Sequence, residues 1–176
     1  MREATQADLD EIVSLWDMLA KYHQGLSDEF ELAWDGKAKW SKYLRQKFSE
    51  ISTKLIVAET DGELIGFMLC LLSPNPPIYK EKKLGVISDV YVKERWRRKG
   101  IAMKMFDVAV KWFAKNRARS VQLNVAAPNL EGRAVWRSLG FEPLVITKRL
   151  KVGEYLSAGH PRIRTRIVKR KKQKKK

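Results

Sequence analysis

The chain has one cysteine, Cys70, so it can form no internal disulfide, and a reducing, cytoplasmic setting is expected. No apolar run approaches the roughly 20 residues needed to cross a bilayer; Leu64 to Leu72 is only strand-sized, so no membrane partner is expected. No cluster of His, Cys, Asp or Glu has metal-ligand spacing, so no metal is expected. The opening Met1-Arg2-Glu3 soon turns acidic and amphipathic, which is not the pattern of a secretory signal. Acids are also missing from one end: Pro161 to Lys176 holds ten Lys or Arg and no Asp or Glu.

With 176 residues, 44% of them hydrophobic, and six Trp, the chain is most simply one domain with a substantial core. Residues 1 to 36 hold nine acids against two bases, whereas the whole chain has a net charge of +16. An acidic front and a basic tail suit different partners.

Met1 to Ala4 fits a short edge strand. Thr5, three residues before Asp8, suits a helix N-cap, and Leu9, Ile12, Val13, Trp16, Leu19 and Ala20 follow at helical spacing to about Gly25. A second helix is expected from Ala38 to Phe48. Thr53 to Glu59 and Glu63 to Leu72 read as strands joined through Asp61-Gly62, a hairpin signal, and Ser73-Pro74-Asn75-Pro76-Pro77 as a loop. Gly85 to Val92 is a strand, Met103 to Asn116 a helix, Ser120 to Val125 a strand, and Leu130 to Leu139 a helix capped by Gly140; Phe141 to Val152 is expected to return as a strand. The order is that of an α/β protein with a mixed sheet, whose one strand-helix-strand unit, residues 85 to 125, is a parallel crossover.

Between that strand and its helix lies Arg97-Arg98-Lys99-Gly100-Ile101-Ala102. Unpaired N–H groups at a helix start, a glycine that lets a ligand approach and three cations together describe an anion cradle. Arg, then Gly three residues on, then Ala two further, resembles the pyrophosphate-binding signature of the GNAT superfamily of N-acetyltransferases. The similarity extends over Ile87-Ser88-Asp89-Val90-Tyr91-Val92, Leu123-Asn124-Val125, Asn129, Ala134 and Leu139-Gly140-Phe141.

The resemblance implies a GNAT-like acyltransferase fold, a mixed sheet with splayed strands flanked by helices. It implies an acetyl-CoA cosubstrate, with the pyrophosphate on the turn from Arg97 to Ala102 and the pantetheine arm along Val90, Tyr91 and Val92. Asn129 would bond the cofactor, a role compatible with a plain N-cap. Where many members carry a tyrosine that protonates the leaving thiolate, this chain has Trp136 beside the cofactor, and an indole is no usable acid. The Val92 N–H is the implied donor to the oxygen that gains charge. Homodimers are common among relatives.

The implied reaction is N-acetylation of a primary amine, on a small cation or on a protein lysine or N-terminus, by direct attack. The amine must lose a proton, and Asp89, the only acid on the central strand, is the candidate base; the alternative is a local pairing with Lys93 or Arg95. Asp28, Glu29 and Trp34, in an acidic and aromatic segment that also holds Phe30, Glu31 and Asp35, are candidates for binding the amine. A solvated loop fits them equally. His23 is expected to be a charged ring at a helix C-terminus, and Cys70 a core residue. The domain is expected over residues 1–152 and the basic tail over 153–176, with a last edge strand over Arg162–Val168 left open. The tail suits contact with nucleic acid or a ribosome, or simple solubilisation, and a nucleic-acid-binding scaffold that keeps the fold is the alternative function.

Overall fold

In the computed structural model, residues 1–158 are described, and they fall in two compact units divided between Phe141 and Glu142. The first unit holds five strands, β1 (Arg2–Glu3), β2 (Thr53–Thr60), β3 (Glu63–Pro74), β4 (Lys83–Val92) and β5 (Val121–Leu123), in one sheet in sequence order. Every pairing is antiparallel except β4 with β5, which is parallel, as a crossover through a helix requires. Four helices flank it: α1 (Leu9–Gln24), α2 (Gly36–Phe48), α3 (Ile101–Lys115) and α4 (Leu130–Ser138).

Alternation along the strands divides the core into two layers. Leu55, Val57, Phe67 and Leu69 face Leu9, Ile12, Leu15 and Leu19 of α1 and Leu44 of α2. Ile56, Ala58, Met68 and Cys70 face Met105, Ala109 and Phe113 of α3 and Trp136 of α4. The sheet is thus sandwiched between the first helix pair and the second. Gly85 is required by that packing, because a Cβ there would stand 2.7 Å from the Phe113 ring.

Local signals explain the boundaries. The Thr5 N–H and hydroxyl both donate to the Asp8 carboxylate, at 2.6 and 2.8 Å, and Arg2 pairs with the same group, so the chain turns into α1 there. Asp61 and Gly62 have φ of 49° and 77°, the left-handed pair of a tight hairpin.

Two expectations are corrected. Ser73 and Pro74 belong to β3, which pairs as far as Pro74 with Lys83, and the loop begins at Asn75. Leu72 donates its N–H to Ser52; two residues on, the Pro74 nitrogen points the same way, past the end of β2, so no ladder bond is lost. The strand expected from Phe141 to Val152 is absent. Residues 142–151 join no ladder, and a short helix, α5 (Val152–Ser157), follows in the second unit. Leu144, Val145 and Ile146 are consecutive and exposed; their strand preference is realised only against a partner strand. The last edge strand over Arg162–Val168 lies outside the described residues.

Candidate active site

Between Leu69 and Cys70 of β3 the pairing with β4 slips: Leu69 faces Asp89, Cys70 faces Ile87, and Ser88 is the extra residue of a bulge. The bulge reverses the alternation of β4. Ile87 faces α3, and two residues later Asp89 faces α1 instead, where the Trp16 indole Nε1 donates to its Oδ1 at 3.1 Å and the Ser88 hydroxyl to its Oδ2 at 2.7 Å.

The same slip redirects the backbone. Lys93 donates its N–H to Ile65 of β3, so Tyr91, two residues before it, also turns its backbone towards β3, while Val90 and Val92 turn theirs the other way. On that side β5 has already ended, since Ile87 opposite Leu123 is the last pair. The sheet is open there, and a cavity of about 330 Å³ occupies the gap. Its walls include Asp89, Val90, Tyr91 and Val92 of β4, Tyr22 and His23 of α1, the start of α3, and Asn129, Glu131 and Trp136 around α4.

The basic turn closes one end. Arg98 and Gly100 both take left-handed φ, 58° and 73°, which brings the chain round onto the free N–H groups of the first turn of α3. A Cβ on Gly100 would meet nothing within 4 Å, so this cradle is open. Arg97, Arg98, Gly100, Ile101 and Ala102 line the cavity; Lys99 does not, its ammonium lying 4.5 Å over the Trp96 ring. The Arg97 guanidinium donates through Nε to the Val92 carbonyl at 3.2 Å, lies 3.6 Å from Glu131, and rests over the rings of Tyr22 (5.1 Å) and Tyr91 (5.7 Å).

Asn129 is an N-cap: its Oδ1 accepts from Gly132 N–H at 2.8 Å and also from the Tyr22 hydroxyl at 3.2 Å, which ties the end of α1 to the start of α4. Trp136 is buried edge-on to Phe106 and Phe141.

Asp89 pairs with neither Lys93 nor Arg95, both of which bind Glu63 instead. Burial pushes its carboxyl above the ordinary range, opposed by the Ser88 and Trp16 hydrogen bonds and by His23. His23, expected as a charged ring at the helix end, is half-buried beside the cavity. Burial pushes its imidazole below the ordinary histidine range, with Asp89 acting in the opposite direction. Asp28 and Glu29 stand on a one-turn helix, Asp28–Phe30, after α1, and Trp34 is 97% exposed; none of the three lines the cavity, although Phe30 of that turn packs on His23 at 5.7 Å. Sequence singles out no site role for Glu131, and it reads His23 as a helix-terminal charge in preference to a catalytic group. The available signal was spacing: His23 lies seven residues after Trp16, on the same face of α1.

The chain matches the Acetyltransferase (GNAT) family over residues 16–141, and it belongs to that family. It is an acetyl-CoA-dependent N-acetyltransferase. An uncharacterized N-acetyltransferase of Archaeoglobus fulgidus is 28% identical over 138 residues, covering 78% of this chain and 89% of that one. Among solved structures, a tetramutant protein of Bacillus halodurans superimposes with a TM-score of 0.74 at 19% identity, over 86% of this chain and 98% of that one. A predicted acetyltransferase of Clostridium acetobutylicum, solved with acetyl-CoA, gives 0.69 at 22% identity over 87% and 96%. Among the described residues no helix is long and apolar enough to cross a membrane, and no group of three or more His, Cys, Asp or Glu is placed to hold a metal ion.

Proposed function

We propose that the enzyme acetylates a primary amine that enters the cavity from the α1 side, beside Asp89, and attacks the thioester directly. One observation carries this reading: the bulge at Ser88 turns a carboxylate towards α1 and, over the next four residues, turns free backbone groups into the same gap that the cradle closes.

The chain's own groups fit acetyl-CoA. The N–H groups from Arg98 to Ala102 hold the pyrophosphate at the helix start, and the open space at Gly100 admits it. Val90 and Val92 offer main-chain partners to the pantetheine arm, as to an added strand, beside Tyr91. Asn129 has a side-chain N–H₂ to offer, since its Oδ1 is already engaged. Trp136 forms an apolar wall. When bound, acetyl-CoA supplies an activated acyl group on a thiol leaving group. The Val92 N–H faces the gap and serves the oxygen that gains charge. Asp89 supplies the basic environment into which the amine releases its proton. With a thiol pKa of about 8.5, a thiolate departs without a strong acid, so Trp136 in the tyrosine position does not block the reaction.

The acceptor is a small amine or a protein lysine or N-terminus, and Asp28, Glu29 and Trp34, outside the cavity, would meet only its distal parts. Contact of the basic tail with nucleic acid or a ribosome is a separate expectation that falls mostly outside the described residues.

Calorimetry with acetyl-CoA tests the cofactor site. Gly100→Ala carries the strain of a left-handed non-glycine residue, and Gly100→Glu adds a carboxylate facing the cradle. Wild type and Gly100→Ala should bind and Gly100→Glu should not; equal binding by both variants would refute the cradle. CoA release with a panel of amines, peptides and polyamines tests the acceptor class.

A further inference from the structure

We propose that His23 is the catalytic residue that takes the proton from the attacking amine, and that Asp89 acts through it as a positioning residue. This rests on the amine-acetylation reading above and assigns the proton path within that site.

The placement begins in α1. Trp16 and His23 are seven residues apart, two helical turns, and so share the face turned to β4. Trp16 reaches the Oδ1 of Asp89, and His23 reaches the cavity that Asp89 lines. The bulge at Ser88 brings the carboxylate to this face; without the extra residue it would point at α3 with Ile87.

The two groups differ in how they are occupied. Both Asp89 oxygens already accept a hydrogen bond, from Trp16 and from Ser88. The His23 ring packs at a tilt against Tyr22 at 5.9 Å and Phe30 at 5.7 Å, and neither ring nitrogen has a hydrogen-bond partner among the described residues. An imidazole packed beside two rings at a cavity wall, with its nitrogens unengaged, is placed to accept a proton. Burial favours its neutral form, which an acceptor must take, and the Asp89 charge favours the imidazolium once formed.

The other charged or titratable groups around the cavity do not compete for this role. Arg97 and Glu131 face one another at 3.6 Å, Tyr22 donates to Asn129, Tyr91 lies under Arg97, and Arg98 belongs to the cradle. Asp28 and Glu29, on the turn that carries Phe30, stand outside the lining.

The step balances. The ammonium gives one proton to a His23 ring nitrogen, the neutral amine nitrogen forms a bond to the acyl carbon, and the carbon–sulfur bond breaks with its electron pair leaving on the CoA sulfur. The second nitrogen proton, acidic once the nitrogen is acylated, passes to that thiolate, which leaves a neutral amide and a free thiol. The imidazolium then returns its proton to solvent through the cavity mouth.

The test uses the full chain. Wild type, His23→Gln and Asp89→Asn are compared in acetyl-CoA affinity, in kcat/KM against pH with the best amine of the panel, and in the NMR titration of the His23 ring, told apart from His160 by its loss in His23→Gln. Expected are unchanged acetyl-CoA binding in His23→Gln, a fall in kcat/KM of about 100-fold, and loss of the acidic limb of the profile. In Asp89→Asn that limb and the ring titration should both move to lower pH. A His23→Gln rate within threefold of wild type, or a large loss with the acidic limb intact, overturns the proposal. If wild type turns over no amine, the acetylation reading fails separately; the ring titration still decides the coupling, and a His23 ring unmoved by Asp89→Asn refutes it.

Discussion

The indole Nε1 of Trp16, midway along α1, donates to Oδ1 of Asp89 on β4 at 3.1 Å, and the same indole stacks on Trp40 of α2 at 4.6 Å with 12° between the ring planes. Both helices of the first pair therefore brace one carboxylate of the cavity. Trp16→Phe keeps an aromatic on Trp40 and removes the donor. It should cost about 1–3 kcal/mol at pH 7 and less in acid, where more of Asp89 is protonated and a neutral carboxyl loses only an ordinary acceptor bond. Urea unfolding at the two pH values measures both figures; a loss independent of pH would mean that only packing was removed.

Asp89→Asn should raise stability at neutral pH while lowering activity. Burial raises the folded carboxyl above its unfolded value, so the folded chain holds that proton more firmly. The resulting stability is fully present below the ordinary carboxyl range and is lost as pH rises through the raised folded value. Asparagine has no such charge to bury, and it can still accept from Trp16 and donate to Ser88. The Tm of Asp89→Asn should exceed that of wild type at pH 7, and the two should converge towards pH 3. A variant less stable than wild type at pH 7 would contradict this assignment.

What could be read from sequence was local. The Asp61-Gly62 turn, the left-handed Gly140 cap with φ of 87°, the apolar stripes of α1 and α3 and the glycine of the basic turn each depend on residues a few positions apart. The bulge at Ser88 depends on how β4 meets β3, about twenty residues away, and no residue of Ile87-Ser88-Asp89 announces it. That one slip decides that Asp89 faces α1, and with it the partners of Asp89 and the setting of His23. The 142–151 segment shows the converse: its composition suggests a strand, but pairing decides.

Arg97 is expected to tolerate glutamine better than lysine. Its guanidinium reaches the Val92 carbonyl through Nε while lying over two tyrosine rings, a planar arrangement that an ammonium cannot reproduce. Gln, the other residue in the resembled motif, keeps a planar donor for the carbonyl. Arg97→Lys should weaken acetyl-CoA binding by about tenfold, near 1.4 kcal/mol, and Arg97→Gln by less. Calorimetric titration measures both; the reverse order would show that charge at this position matters and planarity does not.

Cys70 should be inert in the native protein. It is buried in β3 against the α3 layer, and burial pushes its thiol up to about 12, so almost none is thiolate at neutral pH. An aromatic disulfide reagent at pH 8 should label less than a tenth of the folded protein in an hour and all of it in denaturant. Rapid native labelling would place Cys70 outside the core.

Trp136→Tyr asks whether thiolate departure limits the reaction. The indole is 8% exposed and edge-on to Phe106 at 6.2 Å and Phe141 at 5.4 Å, so the smaller phenol leaves a void that should cost about 1–3 kcal/mol of stability. The phenol would stand where many GNAT members protonate the sulfur, and its effect on kcat measures what such an acid contributes here. With a thiol pKa of about 8.5, the sulfur leaves as thiolate at little penalty, whereas an amine with a pKa of about 10.4 must first lose a proton. The amine's proton is then the larger obstacle, and kcat should change by less than threefold. A tenfold gain would move the limiting step to the sulfur, and the acidic limb of the pH profile would then no longer report the group that accepts the proton.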